Sequence, residues 1–175
     1  SKGFKEEGTR KLQELESALY KASEGGKYPI LFDMSPCFYT FHEGYTNQEI
    51  KIYDPIEFML KFVMPKLEVK HPHEEVVIFP VCSVKKIGME ENLKKLAEMC
   101  AKKVISVQTN CCGFAGDRGF TYPELNEHGQ RHLEEQIPHS CEEGYSTSRT
   151  CEIGMSEHSH VDFKSIFYLI DEVTK

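Results

Sequence analysis

The sequence predicts an α/β domain, a mostly parallel sheet flanked by helices. Three observations carry that expectation. Short apolar runs alternate with segments of helical periodicity along most of the chain. The runs are of strand length and are bounded by turn residues. A short internal echo places Ile30-Leu31-Phe32 before Pro36-Cys37 and Val77-Ile78-Phe79 before Pro80-Val81-Cys82. That echo suggests two pseudo-repeated half-domains.

The elements follow in order. Leu12, Leu15 and Leu19 recur at helical spacing among charges, so Phe4 to Ser23 is read as an amphipathic helix that Gly25-Gly26 stops. Tyr28 to Phe32 is a first strand and ends at Asp33-Met34-Ser35-Pro36-Cys37. Ile50 to Tyr53 is a second, and Pro55 opens a helix running to about Met64. Val76 to Phe79 is a third strand, followed by Pro80-Val81-Cys82. Met89 to Ala101 is helical, with Leu93, Leu96 and Cys100 on one face. Val104 to Val107 is a fourth strand and runs into Thr109-Asn110-Cys111-Cys112-Gly113. Pro123 to Ile137 is a helix opened by proline and acids. Gly144 to Thr147 is a short fifth strand with Cys151 just beyond it, and Ile166 to Val173 closes the chain as a helix.

Composition narrows the function. The chain has 175 residues, enough for one compact domain, with 39% hydrophobic and 28% charged residues. A net charge of -7 argues against nucleic acid, whose phosphates call for a basic stripe. Lys85, Lys86, Lys94, Lys95, Lys102 and Lys103 are interleaved with Glu90, Glu91 and Glu98 and are read as a solvated helix face. No apolar run approaches the ~20 residues that span a bilayer, and no secretory h-region opens the chain. The charged opening without an initiator Met suggests a piece of a longer protein, with residues 1–27 a helix and linker and 28–175 the domain proper. A cytoplasmic setting is expected.

Seven cysteines, at 37, 82, 100, 111, 112, 141 and 151, are an odd number without an export signal, so thiolate or metal chemistry is favoured over disulfides. Cys37, Cys82, Cys111, Cys112 and Cys151 all fall just after predicted strands. In a parallel sheet they would converge on its carboxyl edge, where such sheets bind ligands. Neighbouring thiolates on a tight turn can bind different atoms of one iron–sulfur cluster, and several soft thiolates in a partly desolvated pocket are what such a cluster needs. Gly113 would keep a side chain away from the cluster. Backbone N–H groups of this turn, with Asn110 and Arg118, would add a positive local field. Asp117 is expected to pair with a base or cap a turn. Cys100 is read as a core residue and Cys141 as a bystander. A structural zinc or docking domain without a redox role is the competing reading, with Cys82, Cys111, Cys112 and Cys151 as four thiolates. Redox catalysis on a bound substrate at the cysteines themselves is a third.

The spacing Cys82, Cys111-Cys112-Gly113, Cys151 resembles the cysteine-rich CCG domain of the heterodisulfide reductase B subunit, the glycolate oxidase iron–sulfur subunit and lactate-utilisation proteins. The stretches Asp33–Cys37, Cys111–Phe120, Pro123–Leu125 and Ser148–Met155 are most similar to the C-terminal part of FAD-linked iron–sulfur D-lactate dehydrogenases. The resemblance covers the chain from about residue 28 onward. It implies a [4Fe–4S]-type cluster in an electron-transfer domain. FAD-binding and ferredoxin-like domains would precede it in the same parent chain, which would oxidise D-lactate or a similar 2-hydroxy acid and reduce an electron acceptor, peripherally at the membrane if the acceptor lies there. One departure stands out. The family pattern often ends in Cys-x-x-Cys, and Ser148 occupies the first of those positions. Cys37 would then complete the ligand set.

Other candidates are weaker. Glu124, His128 and His132 would share one helical face, as zinc ligands do, but their acidic surroundings read as wet surface. His71 and His73 are expected as exposed imidazoles in a polar loop. His158 and His160 have no evident partner, though His158 near the cluster would donate a hydrogen bond or a proton. Gly113-x-x-Gly116-x-x-Gly119 is not a dinucleotide fingerprint, so no FAD or NAD site is expected in this chain. No hydrolytic triad is discernible.

Overall fold

A computed structural model describes residues 3–109 and 111–175. Asn110, expected to contribute to the field around the double cysteine, lies outside the described residues.

The fold is α/β, with two parallel sheets of unequal size. Helix α1 (Lys5–Ala22) precedes β1 (Ile30–Leu31), α2 (Ser35–His42) and β2 (Ile52–Tyr53). Strands β1 and β2 pair in parallel, Ile30 opposite Ile52 and Leu31 opposite Tyr53. Helix α3 (Pro55–Phe58) has proline in its first turn, and the Asp54 carboxylate accepts the Ile56 N–H at 2.8 Å. The chain continues through a wide turn at Met59–Val63 and a tight one at Met64–Lys66.

The larger sheet holds β3 (His73–Ile78), β4 (Ala101–Ser106), β5 (Glu143–Ser146) and β6 (Asp162–Ser165), ordered β4-β3-β5-β6 and parallel throughout. Central β3 carries Val76, Val77 and Ile78, all but inaccessible, as a strand covered on both faces must. Helices α4 (Cys82–Lys86) and α5 (Glu90–Glu98) join β3 to β4. Helices α6 (Arg118–Thr121) and α7 (Pro123–Gln130) join β4 to β5, α8 (Arg149–Glu157) joins β5 to β6, and α9 (Ile166–Thr174) ends the chain. In α9 the spacing of Ile166, Leu169, Ile170 and Val173 buries one stripe, and Ser165 Oγ accepts the Phe167 N–H. No helix among the described residues is long and apolar enough to cross a membrane.

This strand order determines where a ligand can bind. The connection after β3 leads to β4 on one side, and that after β5 leads to β6 on the other. Adjacent β3 and β5 therefore flank a topological switch point, and sheets of this kind bind ligands at the carboxyl ends of such strands.

Several elements differ from expectation. Helices α2, α4, α6 and α8 and strand β6 are additional. In β6 the only buried side chain is Phe163, too little for an apolar run. Helix α7 ends at Gln130 and not near Ile137, so His132 leaves the helix and cannot share a helical face with Glu124 and His128. The lysines do not form one helix face. Lys102 and Lys103 lie on β4, an edge strand, and pair with Glu74 and Glu75 of β3, while Lys85 Nζ donates to the Thr109 carbonyl at 2.7 Å. His73 belongs to β3 and not to a loop. Its half-buried ring lies 3.2 Å from Glu143 and 3.6 Å from Glu172.

Candidate metal centre

Three strand ends deliver the thiols. Cys82 is the first residue of α4, four residues after β3. Cys111 and Cys112 lie in the loop after β4, and Cys151 lies in the first turn of α8, just after β5. Cys112 Sγ and Cys151 Sγ are 2.9 Å apart, both buried. Cys111 Sγ interacts with the thiols of both Cys112 and Cys82, and Cys82 feels the charge of Cys151. The sulfurs therefore form one row, Cys82–Cys111–Cys112–Cys151, across the switch point between β3 and β5.

The thiol protons are unequally held. Hydrogen bonds from Cys112 and Cys82 hold the Cys111 thiol far below its ordinary range. The Gly113 N–H, 3.4 Å from Cys111 Sγ, and the charge of Lys86 act in the same direction. The same hydrogen bonds push Cys82 and Cys112 up, burial adding to each. Lys86 was not singled out by the sequence. Its ammonium is held over the Tyr39 ring, 5.0 Å from the centroid.

Packing behind the row is close. Gly113 has φ +80°, and a Cβ there would overlap the Leu125 carbonyl. The glycine is thus demanded by backbone against backbone, where the sequence suggested room for a cluster. Asn126 Nδ2 donates to the Cys112 carbonyl and lies against Gly154 of α8, where a Cβ would also meet the Phe114 ring at 2.7 Å. Phe114 is buried, edge-on to Phe120 at 4.8 Å. The double-cysteine loop is thereby pressed against α7 and α8. On its outer side, a cavity of about 460 Å³ is lined by Thr109, Cys111, Gly113, His128, Arg131 and His132.

The other sequence candidates have different surroundings. Cys37 lines a groove between α1 and α2 with Leu12, Leu15 and Phe32, and no sulfur contact joins it to the row. Arg118 is exposed at the start of α6. Asp117 precedes that helix, and its carbonyl accepts the Phe120 N–H. Ser148 is buried just before α8, its carbonyl accepting the Glu152 N–H at 3.0 Å. His158 ends α8, roughly 10 Å along the helix from Cys151. Cys100 and Cys141 are buried core residues, and burial raises both thiols.

The donor set is one that an iron–sulfur cluster could use: four thiols from three strand ends, Cys112 and Cys151 buried and Cys82 and Cys111 exposed, with backbone N–H groups directed at sulfur. Ser83 Oγ beside Cys82, Thr109 Oγ1 and Asn126 Oδ1 are buried without a hydrogen-bond partner among the described residues. The set fits a lone zinc ion less well. Tetrahedral zinc with Zn–S of ~2.3 Å puts every ligand pair about 3.8 Å apart. Among the described residues, no three thiol sulfurs lie within 4.8 Å of one another. Comparison with protein-family models, curated proteins and solved structures finds no match for this chain.

Proposed function

We propose that the thiol row holds a [4Fe–4S]-type cluster. On this reading the domain is the electron-transfer part of a FAD-linked oxidoreductase acting on D-lactate or a similar 2-hydroxy acid. The observation that carries it is the convergence of Cys82, Cys111, Cys112 and Cys151 from three strand ends at the switch point between β3 and β5. The similarity of Cys111–Phe120 and Ser148–Met155 to the CCG domain supplies the flavin, ferredoxin-like and acceptor partners. The flavin would be bound by another part of the parent chain. Free thiols suit a cytoplasmic, reducing compartment.

A bound cluster would supply one-electron transfer without proton bookkeeping. The chain's own residues would tune it. The four thiols would ligate as thiolates, and Cys111 is the one whose surroundings favour that form. N–H groups of Gly113 and Phe114 and the charge of Lys86 would offset their negative charge. Ser83 and Thr109 hydroxyls would donate toward sulfur. Four thiols complete the set without Cys37, which is left to the α1–α2 groove.

The test is anaerobic reconstitution with iron and sulfide. The chain is expected to turn brown and take up about four iron atoms. Changing Cys111→Ser together with Cys112→Ser should abolish uptake. Iron incorporation that survives this pair of changes overturns the proposal.

A further inference from the structure

Glu134, His139 and His160 meet on the surface away from the thiol row, and their ligand atoms all lie within 4.8 Å of one another. They come from three segments: the tight turn at Glu134–Gln136, the loop that follows it, and the loop before β6. The rings of His139 and His160 are 5.5 Å apart.

His160 is held in place by its other contacts. Its Nε2 lies 3.1 Å from the Cys141 carbonyl, which can only accept, so Nε2 carries a hydrogen. Its backbone N–H donates to Glu134 Oε2 at 3.0 Å. Its Nδ1 therefore faces Glu134 Oε1, 2.7 Å away. A metal-binding imidazole has this arrangement, one nitrogen tied to a backbone carbonyl and the other presented with a carboxylate. With a proton on Nδ1 the two form an ion pair; without it the nitrogen lone pair lies beside the carboxylate, and a cation competes with the proton for both.

We propose that Glu134, His139 and His160 form a binding site for a zinc-type divalent cation. Two imidazoles and one carboxylate are a borderline N/O donor set suited to zinc. Three protein ligands leave the fourth tetrahedral position to water or an anion. The ion would tie the segment after α7 to the loop entering β6. The site shares no ligand with the thiol row.

The test is a zinc titration of the chain followed by imidazole ¹H–¹⁵N NMR. The thiols bind zinc too, so the readout must be the rings themselves. His139 and His160 signals are expected to shift together as one zinc binds. In His139→Ala, an exposed change, His160 should respond only at zinc concentrations at least about 10–100-fold higher, the cost of losing even an outer-shell partner. Zinc should also raise the melting temperature of Cys111→Ser, Cys112→Ser protein, and less so when His139→Ala is added. Zinc uptake with both ring signals unmoved, or an equal response in His139→Ala, overturns the site. Iron reconstitution is unaffected by either outcome, so this test and that of the cluster fail separately.

Discussion

At the amino ends of β3, β5 and β6, the side chains of His73, Glu143, Tyr145, Lys164 and Glu172 satisfy one another. The Tyr145 hydroxyl lies 2.6 Å from Glu143 and 2.7 Å from Glu172, and Lys164 Nζ reaches both carboxylates at 3.2 and 3.5 Å. At the carboxyl ends of β3, β4 and β5, four thiols crowd together, and buried Ser83, Thr109 and Asn126 atoms have no partner among the described residues. Both clusters are polar and partly buried. In the first, opposite charges and hydroxyls are matched, so the network ties α9 to the sheet. In the second, soft sulfur is gathered, and Lys86 is the one cation that acts on Cys82 and Cys111 among the described residues.

Three changes probe this contrast. The largest effect is expected from Phe114→Ala, which empties the space between the double-cysteine loop, Gly119 and α8. It should cost about 3–5 kcal/mol in chemical denaturation and weaken iron uptake together with stability. Tyr145→Phe should cost about 1–3 kcal/mol by leaving half-buried carboxylates without their hydroxyl, with iron content unchanged. If Tyr145→Phe lowers iron content as much as Phe114→Ala does, the two ends are not independent. The smallest effect is electrostatic. Burial pushes Glu143 up, but the Tyr145 hydroxyl, Lys164 and His73 outweigh it and hold the carboxyl below its ordinary 4.5. A carboxyl with a lower value folded than unfolded contributes stability above the unfolded value and loses it as pH falls through the folded one. Melting temperatures measured from neutral pH downward should fall below about pH 4.5, and Glu143→Gln should flatten that limb.

Strands that carry their own apolar run were readable directly. Val76–Phe79 announces β3, the most buried strand. The edge strand β4 shows only its later half, because Lys102 and Lys103 face solvent at its start. Helix α8 escaped the pattern because its buried face is built from Cys151, Glu152, Gly154 and Met155, of which only Met155 is a strong hydrophobic signal. His73 and His160 were misjudged for one reason. Each finds its acidic partner far along the chain, at Glu143 and Glu172 or at Glu134, and periodicity carries no trace of such pairs.

The sequence alone determined the alternation of strand and helix, hence a parallel α/β sheet, and the position of Cys82, Cys111, Cys112 and Cys151 just beyond strand ends. Those are local properties, set by side-chain period and by turn residues. Only the tertiary structure decided the strand order β4-β3-β5-β6, which sets the switch point between β3 and β5 and puts four thiols in one row while leaving Cys37 against α1. Strand order arises from which faces pack together, and that is a contest between distant segments that no single stretch of chain encodes.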